Sequence, residues 1–227
     1  MLLHLDSSAN RSDESVTRRL TRLFADRWQA VHGSAGYRYR DLAVDPVPPI
    51  DTAYCQLGQR SERQGVVPLT LVGTLIESTA EANAWALTKP LIDEVVSSRT
   101  ILIGAPMYSF SLPAALKAWI DRITFPGAFR DGVLSDTEVV VISSRGGAYG
   151  PGARREGWDY EFPYLRAYFT NYGVPGDNLR FISAELALAD LIPRFADQRP
   201  SAARSLAAAC EEVISSVAAA EHAGAKR

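Results

Sequence analysis

Five short apolar or alternating runs, most of them followed by a stretch with helical spacing, constrain this chain more than any other feature. Residues 2–6 (Leu-Leu-His-Leu-Asp), 100–104 (Thr-Ile-Leu-Ile-Gly) and 138–143 (Glu-Val-Val-Val-Ile-Ser) carry apolar side chains on both faces. That is the pattern of strands covered on both sides of a parallel sheet. Residues 37–42 alternate and 179–183 complete a set of five predicted strands. Residues 15–32 place Val16, Leu20, Leu23, Phe24 and Val31 at helical spacing, with Gly33 to end the helix. A helix over 112–125 puts Leu112, Leu116, Trp119, Ile120 and Ile123 on one face, and further helices are expected at 161–172 and at 201–220, the last with Ser201 as its N-cap. Residues 71–98 are helical in composition, but Pro90 should break them and open a second helix near Lys89. Residues 45–50 form a proline-stiffened loop, and 51–70 show no readable period. The alternation predicts an α/β fold: a doubly wound parallel sheet with helices on both faces and right-handed crossovers. The 227 residues show no repeat or linker, so one domain over 1–227 is expected, with 219–227 as a disordered tail.

Charge and composition narrow the function. A formal net charge of −2 gives no electrostatic case for nucleic acid or an acidic membrane surface. No segment approaches the ~20 apolar residues of a membrane span, and the apolar run at the N-terminus is too short for a signal peptide. Cys55 and Cys210 are far apart and in no CxxC pattern, which argues against a disulfide framework or a zinc site. Cytoplasmic localisation is expected. His4, His32 and His222 are the three histidines, so a mechanism built on a histidine base or metal ligand has little to draw on.

In such a sheet, ligands bind beyond the carboxyl ends of the strands at the topological switch point. Three loops therefore matter. The first, residues 6–17, carries five Ser/Thr hydroxyls and opens a helix, where free N–H groups and the dipole favour an anion. It has neither GxxxxGK nor GxGxxG. Ser8, Ser15 and Thr17 are candidate phosphate ligands; the plainer reading is an ordinary helix cap. Asp13 and Glu14 oppose a phosphate unless they point outward. The second loop follows the third strand: Pro106 stiffens the exit, and Met107, Tyr108, Ser109 and Phe110 form an apolar, aromatic tip. A flat aromatic ligand would explain that tip, and so would packing beneath a neighbouring loop. In the third, Ser144, Arg145, Gly146, Gly147 and Tyr149 follow the fourth strand, and adjacent glycines let backbone N–H groups approach a ligand edge. Arg145 adds positive charge there or pairs with an acid elsewhere; a plain Gly-rich turn is the alternative.

The sequence of hydroxyl-rich loop, Pro-Met-Tyr-Ser-Phe and Ser-Arg-Gly-Gly resembles the FMN-dependent NADH-azoreductases, flavodoxin-like reductases of quinones and azo compounds. The stretches LKAWIDRI, DLAVDPVPPID and PYLRAYFTNYGV share the likeness, which covers most of residues 1–190. The resemblance implies a flavodoxin-like five-stranded sheet of order 2-1-3-4-5, FMN at a homodimer interface, and ping-pong transfer from NADH or NADPH to a quinone or azo acceptor. It implies that Ser8, Ser15, Val16 and Thr17 hold the phosphate. Pro106 through Phe110 line the isoalloxazine, Ser144 through Gly147 contact its polar edge, and Tyr149 lies close by. Leu71, Val72, Leu75, Ile76 and Trp85 would supply apolar surface for the dimer. The segments 129–134, shorter than in many members, and 150–158 depart from the family pattern.

Two rivals remain at this level. One is a flavodoxin-like electron carrier without a small-molecule substrate of its own. The other is a serine hydrolase built on Asp6-Ser7, for which His222 is the one late histidine.

Overall fold

The computed structural model describes residues 1–224. Strands β1 (Leu2–Asp6), β2 (Tyr37–Asp41), β3 (Thr100–Gly104), β4 (Glu138–Ser144) and β5 (Leu179–Ala184) form one parallel sheet in the order β2-β1-β3-β4-β5. Leu2 lies opposite both Tyr37 and Thr100, and Thr100 opposite Glu138. The expected order and helix cover are both present. The chain runs outward from β1 to β2 and returns to the other side of β1 at β3, so the switch point lies at the carboxyl ends of β1 and β3.

Strand periodicity divides the core into two layers. Leu3, Leu5, Ile101, Ile103, Val139 and Val141 face helices α2 (Thr52–Arg63), α3 (Thr79–Val96), α4 (Ala114–Ile123) and α5 (Glu161–Asn171). Leu2, Leu102, Val140, Ile142 and Ile182 face α1 (Val16–His32) and α6 (Arg199–Gly224). Ser15 caps α1, its hydroxyl accepting from the Arg18 N–H.

Four expectations change. Helix α3 runs unbroken through Pro90. Proline removes one helical bond and crowds the preceding turn at a cost of ~3 kcal/mol; here Trp85, Leu91, Ile92 and Val95 are buried in the core on either side of it, and that packing holds the helix together. The unreadable 51–70 region contains α2, whose buried positions include Gly58 and Ser61, so its inward face carries little apolar signal. Residues Leu69–Leu75 form a 3-10 helix, and Val72, Leu75 and Trp85 lie in the core and not on a free face. They are therefore not available as dimer surface. Helix α6 starts at Arg199, two residues before the expected cap, and continues to Gly224. The expected tail is thus helical over 219–224, and 225–227 lie outside the described residues.

Candidate functional site

The three loops meet at the switch point and are tied to one another there. The Ala9 N–H donates to the Tyr108 hydroxyl at 3.1 Å, linking the first loop to the second. The Thr17 hydroxyl donates to Ser144 Oγ at 2.8 Å, linking α1 to the third. The Met107 N–H donates to the Ser144 carbonyl at 3.0 Å, joining the second to the third.

At the first loop, Ser8, Ser15 and Thr17 are buried and Val16 half-buried. Ser8 Oγ lies 3.1 Å from Ser15 Oγ. Among the described residues, the first-turn N–H groups of Val16 and Thr17 have no partner in the chain. Asp13 points away, its carboxylate 3.5 Å from Arg22 at the surface, and Glu14 is exposed. No acid stands in the first turn of α1. The loop is fixed from behind by Arg18, which donates to the Ser8 carbonyl at 2.8 Å and forks onto Asp41 at 2.8 and 2.9 Å. Asp41 holds the Arg18 guanidinium charged, raising its pKa, while Arg18 lowers that of Asp41 against the cost of burial.

The second loop is a tight hairpin. Tyr108 and Ser111 exchange both backbone hydrogen bonds, at 2.9 and 3.0 Å, across Ser109 and Phe110. Both central residues are left-handed, with φ of 48° and 73°. That is the backbone of a primed turn, which glycine and asparagine normally occupy. A phenylalanine held there is strained, and such strain concentrates at ligand sites. Pro106 is buried, Met107 and Phe110 are half-buried, and Tyr108 and Ser109 are exposed.

In the third loop the N–H groups of Gly146 and Gly147 have no partner in the chain among the described residues. Arg145 does not face the same way. Its guanidinium is buried, lies 4.0 Å over the Phe162 ring, and is 2.9 Å from Asp159, 3.8 Å from Glu161 and 3.8 Å from Glu185. Of the two readings of Arg145, the pairing with acids is the one its side chain adopts. Tyr149 is buried, its N–H on Glu185 at 3.0 Å and its ring edge-on to Phe110 at 6.4 Å.

Sequence reading missed the outer wall. Trp158 stands edge-on to Phe110 at 5.3 Å, and the Arg155 guanidinium lies 5.6 Å from the same ring. Their signal was the aromatic and basic content of 150–158, a segment noted as unusual. Ser7 is buried and donates to the Gly104 carbonyl at 2.7 Å, so the hydrolase reading has no free nucleophile there; the side chain of His222, its expected base, lies outside the described residues.

These groups suit FMN. Open amides and hydroxyls at a helix N-terminus match a phosphate. A half-buried apolar hairpin matches a flat ring, and two unpartnered glycine amides match that ring's polar edge.

Fold and loop geometry define a flavodoxin-like protein, and residues 1–190 match the family described as the flavodoxin-like fold. An FMN-dependent NADH:quinone oxidoreductase of Nocardia farcinica (strain IFM 10152) is 40% identical over 198 residues, which span 87% of this chain and 88% of that protein. One of the same name from Streptomyces avermitilis is 36% identical over 93% of this chain and 92% of its own. An azoreductase structure from Bacillus anthracis str. Sterne shares the fold with a TM-score of 0.77 at 16% identity, covering 95% of this chain and 97% of that one. The chain belongs to the family of the FMN-dependent NADH:quinone oxidoreductases.

Proposed function

We propose that the chain is an FMN-dependent oxidoreductase that takes electrons from NADH or NADPH and reduces quinones and azo compounds. When bound, FMN would supply the redox chemistry, hydride transfer from the nicotinamide to the acceptor in ping-pong order. The observation that carries this reading is the cross-linking of three strand-end loops at one edge of the sheet, through Ala9–Tyr108, Thr17–Ser144 and Met107–Ser144.

The protein's part is binding, positioning and exclusion of water. Ser8, Ser15 and the amides of Val16 and Thr17 hold the phosphate. Pro106, Met107, Tyr108, Ser109 and Phe110 support the ring, with Tyr149 and Trp158 packed behind Phe110. Ser144 and the Gly146 and Gly147 amides donate to the polar edge, where negative charge gathers on reduction. Arg145 is a positioning residue: it anchors the loop to Asp159 and Glu185 from below. No protein acid, base or nucleophile is assigned a covalent role. The protein acts as one flavin-binding domain, as a homodimer, in the cytoplasm, with no nucleic-acid or membrane partner. Among the described residues no helix is long and apolar enough to cross a membrane.

Two variants test the placement. Phe110→Ala removes an aromatic support and should weaken FMN binding about tenfold, by the ~1.4 kcal/mol scale of ring contacts. Gly147→Val should weaken binding sharply, because a branched side chain there would crowd the unpartnered Gly146 and Gly147 amides. Flavin fluorescence titration reads both, with circular dichroism to confirm the fold. Unchanged affinity in both variants contradicts the placement. Steady NADH consumption with a small quinone separates the enzyme from a one-electron carrier.

A further inference from the structure

Three carboxylates surround one buried guanidinium behind β4. Asp159 lies 2.9 Å from Arg145, and Glu161 and Glu185 each lie 3.8 Å from it. Two of the three acids have further partners. Asp159 Oδ1 accepts from the Glu161 and Phe162 N–H groups at 2.9 and 3.1 Å, capping α5, while Oδ2 faces Arg145. Glu185 keeps some contact with solvent and accepts from the Tyr149 N–H at 3.0 Å. Glu161 is the acid left over. It is 0% exposed, its Oε2 accepts from the Ser143 hydroxyl at 2.7 Å, and among the described residues Oε1 has no partner.

One guanidinium cannot compensate three carboxylates packed around it, and an uncompensated buried charge is costly. Glu161, with the fewest donors and no solvent, is the acid that keeps a proton. Burial raises its pKa to about 8, against the Ser143 bond and Arg145, and Asp159 adds to the rise. The groups that govern it come from three elements: Ser143 and Arg145 from β4 and its loop, Asp159 from the entry to α5, and Glu185, through Arg145, from beyond β5.

This cluster backs the polar edge of the proposed flavin site. Ser143 holds Glu161, and its chain neighbour Ser144 is assigned to that edge. Arg145 joins Ser144 to the Gly146 amide. Hydride arriving from the nicotinamide brings two electrons and one proton and leaves one negative charge at the edge. Negative charge arriving near a buried acid favours its protonated form. We infer that Glu161 takes up a proton from solvent when the flavin is reduced, and returns it to solvent when hydride and a further proton pass to the acceptor. The inference rests on the reductase reading and adds a proton-linked residue to it. Glu161 acts through charge, from behind Ser143 and Arg145, and no contact with flavin or substrate is assigned to it.

The test measures proton uptake itself. FMN-loaded protein in weakly buffered solution is reduced anaerobically with NADH, and in parallel with dithionite, while the pH is followed by electrode. Glu161→Gln is treated identically, so protons from the reductant cancel in the comparison. If reduction raises the proton's affinity about tenfold, the parent takes up about half a proton per flavin more than the variant near pH 8.5, and almost none more near pH 6. Ser143→Ala removes a bond that favours the charged form, so the excess uptake moves to higher pH. Asp159→Asn releases Arg145 toward Glu161 and moves it to lower pH. Equal uptake by parent and Glu161→Gln overturns the inference. Should the glutamine variant not fold, an uptake profile that neither Ser143→Ala nor Asp159→Asn displaces overturns it as well. Bound flavin that dithionite reduces and NADH does not refutes the reductase reading alone, and the dithionite arm still decides Glu161. A protein that retains no flavin refutes both.

Discussion

Glu161 shows how a single buried group sets a property of the whole protein. Its side chain is fully buried and accepts from the Ser143 hydroxyl at 2.7 Å, and among the described residues Oε1 has no partner. Burial raises its pKa from 4.5 to about 8; Ser143 and Arg145 act against that rise, and Asp159 adds to it. Arg145 lies 2.9 Å from Asp159 but 3.8 Å from Glu161, so the better ion pair is made with the other acid. Between pH 4.5 and about 8 the folded state therefore binds a proton that the unfolded chain has released. Stability falls as pH rises through that window. The melting temperature should decline from pH 5 to pH 8.5, and Glu161→Gln should flatten the decline; an identical slope in the variant contradicts this account. None of this was legible in the sequence. Arg145 was visible, but Asp159, Glu161 and Glu185 reach it only through the crossover of α5 and the pairing of β4 with β5.

At the scale of elements, the readable helices were those with large apolar side chains on the inward face. In α4, Leu116, Trp119, Ile120 and Ile123 announce the helix and are all buried. Helix α2 hides because Gly58 packs against Pro126, 3.4 Å from where a Cβ would stand, and Ser61 takes a core position. Its Asp51 cap, which accepts from the Tyr54 N–H at 2.9 Å, was the one local signal. Helix α3 was misread for the opposite reason, since a strong local breaker was overruled by tertiary packing. Two terms then oppose each other in Pro90→Ala. The variant regains up to ~3 kcal/mol of helix propensity and loses ~0.4–1 kcal/mol of unfolded-state restriction. A net gain of up to about 2 kcal/mol in chemical denaturation is expected, and a loss of stability means that the ring itself fills a needed space.

For the whole molecule, sheet order and site position were legible together, because both follow from where apolar runs end. Residues just past β1, β3 and β4 must meet at the switch point whatever their side chains, and Tyr108 and Thr17 show that they do. Of the residues expected to supply dimer surface, Val72, Leu75 and Trp85 are spent on the core, while Leu71 stays exposed. The homodimer of the proposed function therefore has to draw on surface besides those three residues. Light scattering at micromolar concentration should return twice the 24.7 kDa chain mass, and a monomer there contradicts it.

The central claim is that the three loops bind FMN as a working redox site. Its most direct test is the visible absorbance spectrum of the protein after loading with FMN and desalting, followed anaerobically through addition of NADH and then 1,4-naphthoquinone. The account predicts a retained two-band flavin spectrum that NADH bleaches and the quinone restores. A colourless protein after desalting, or a retained flavin that NADH leaves oxidised, contradicts it.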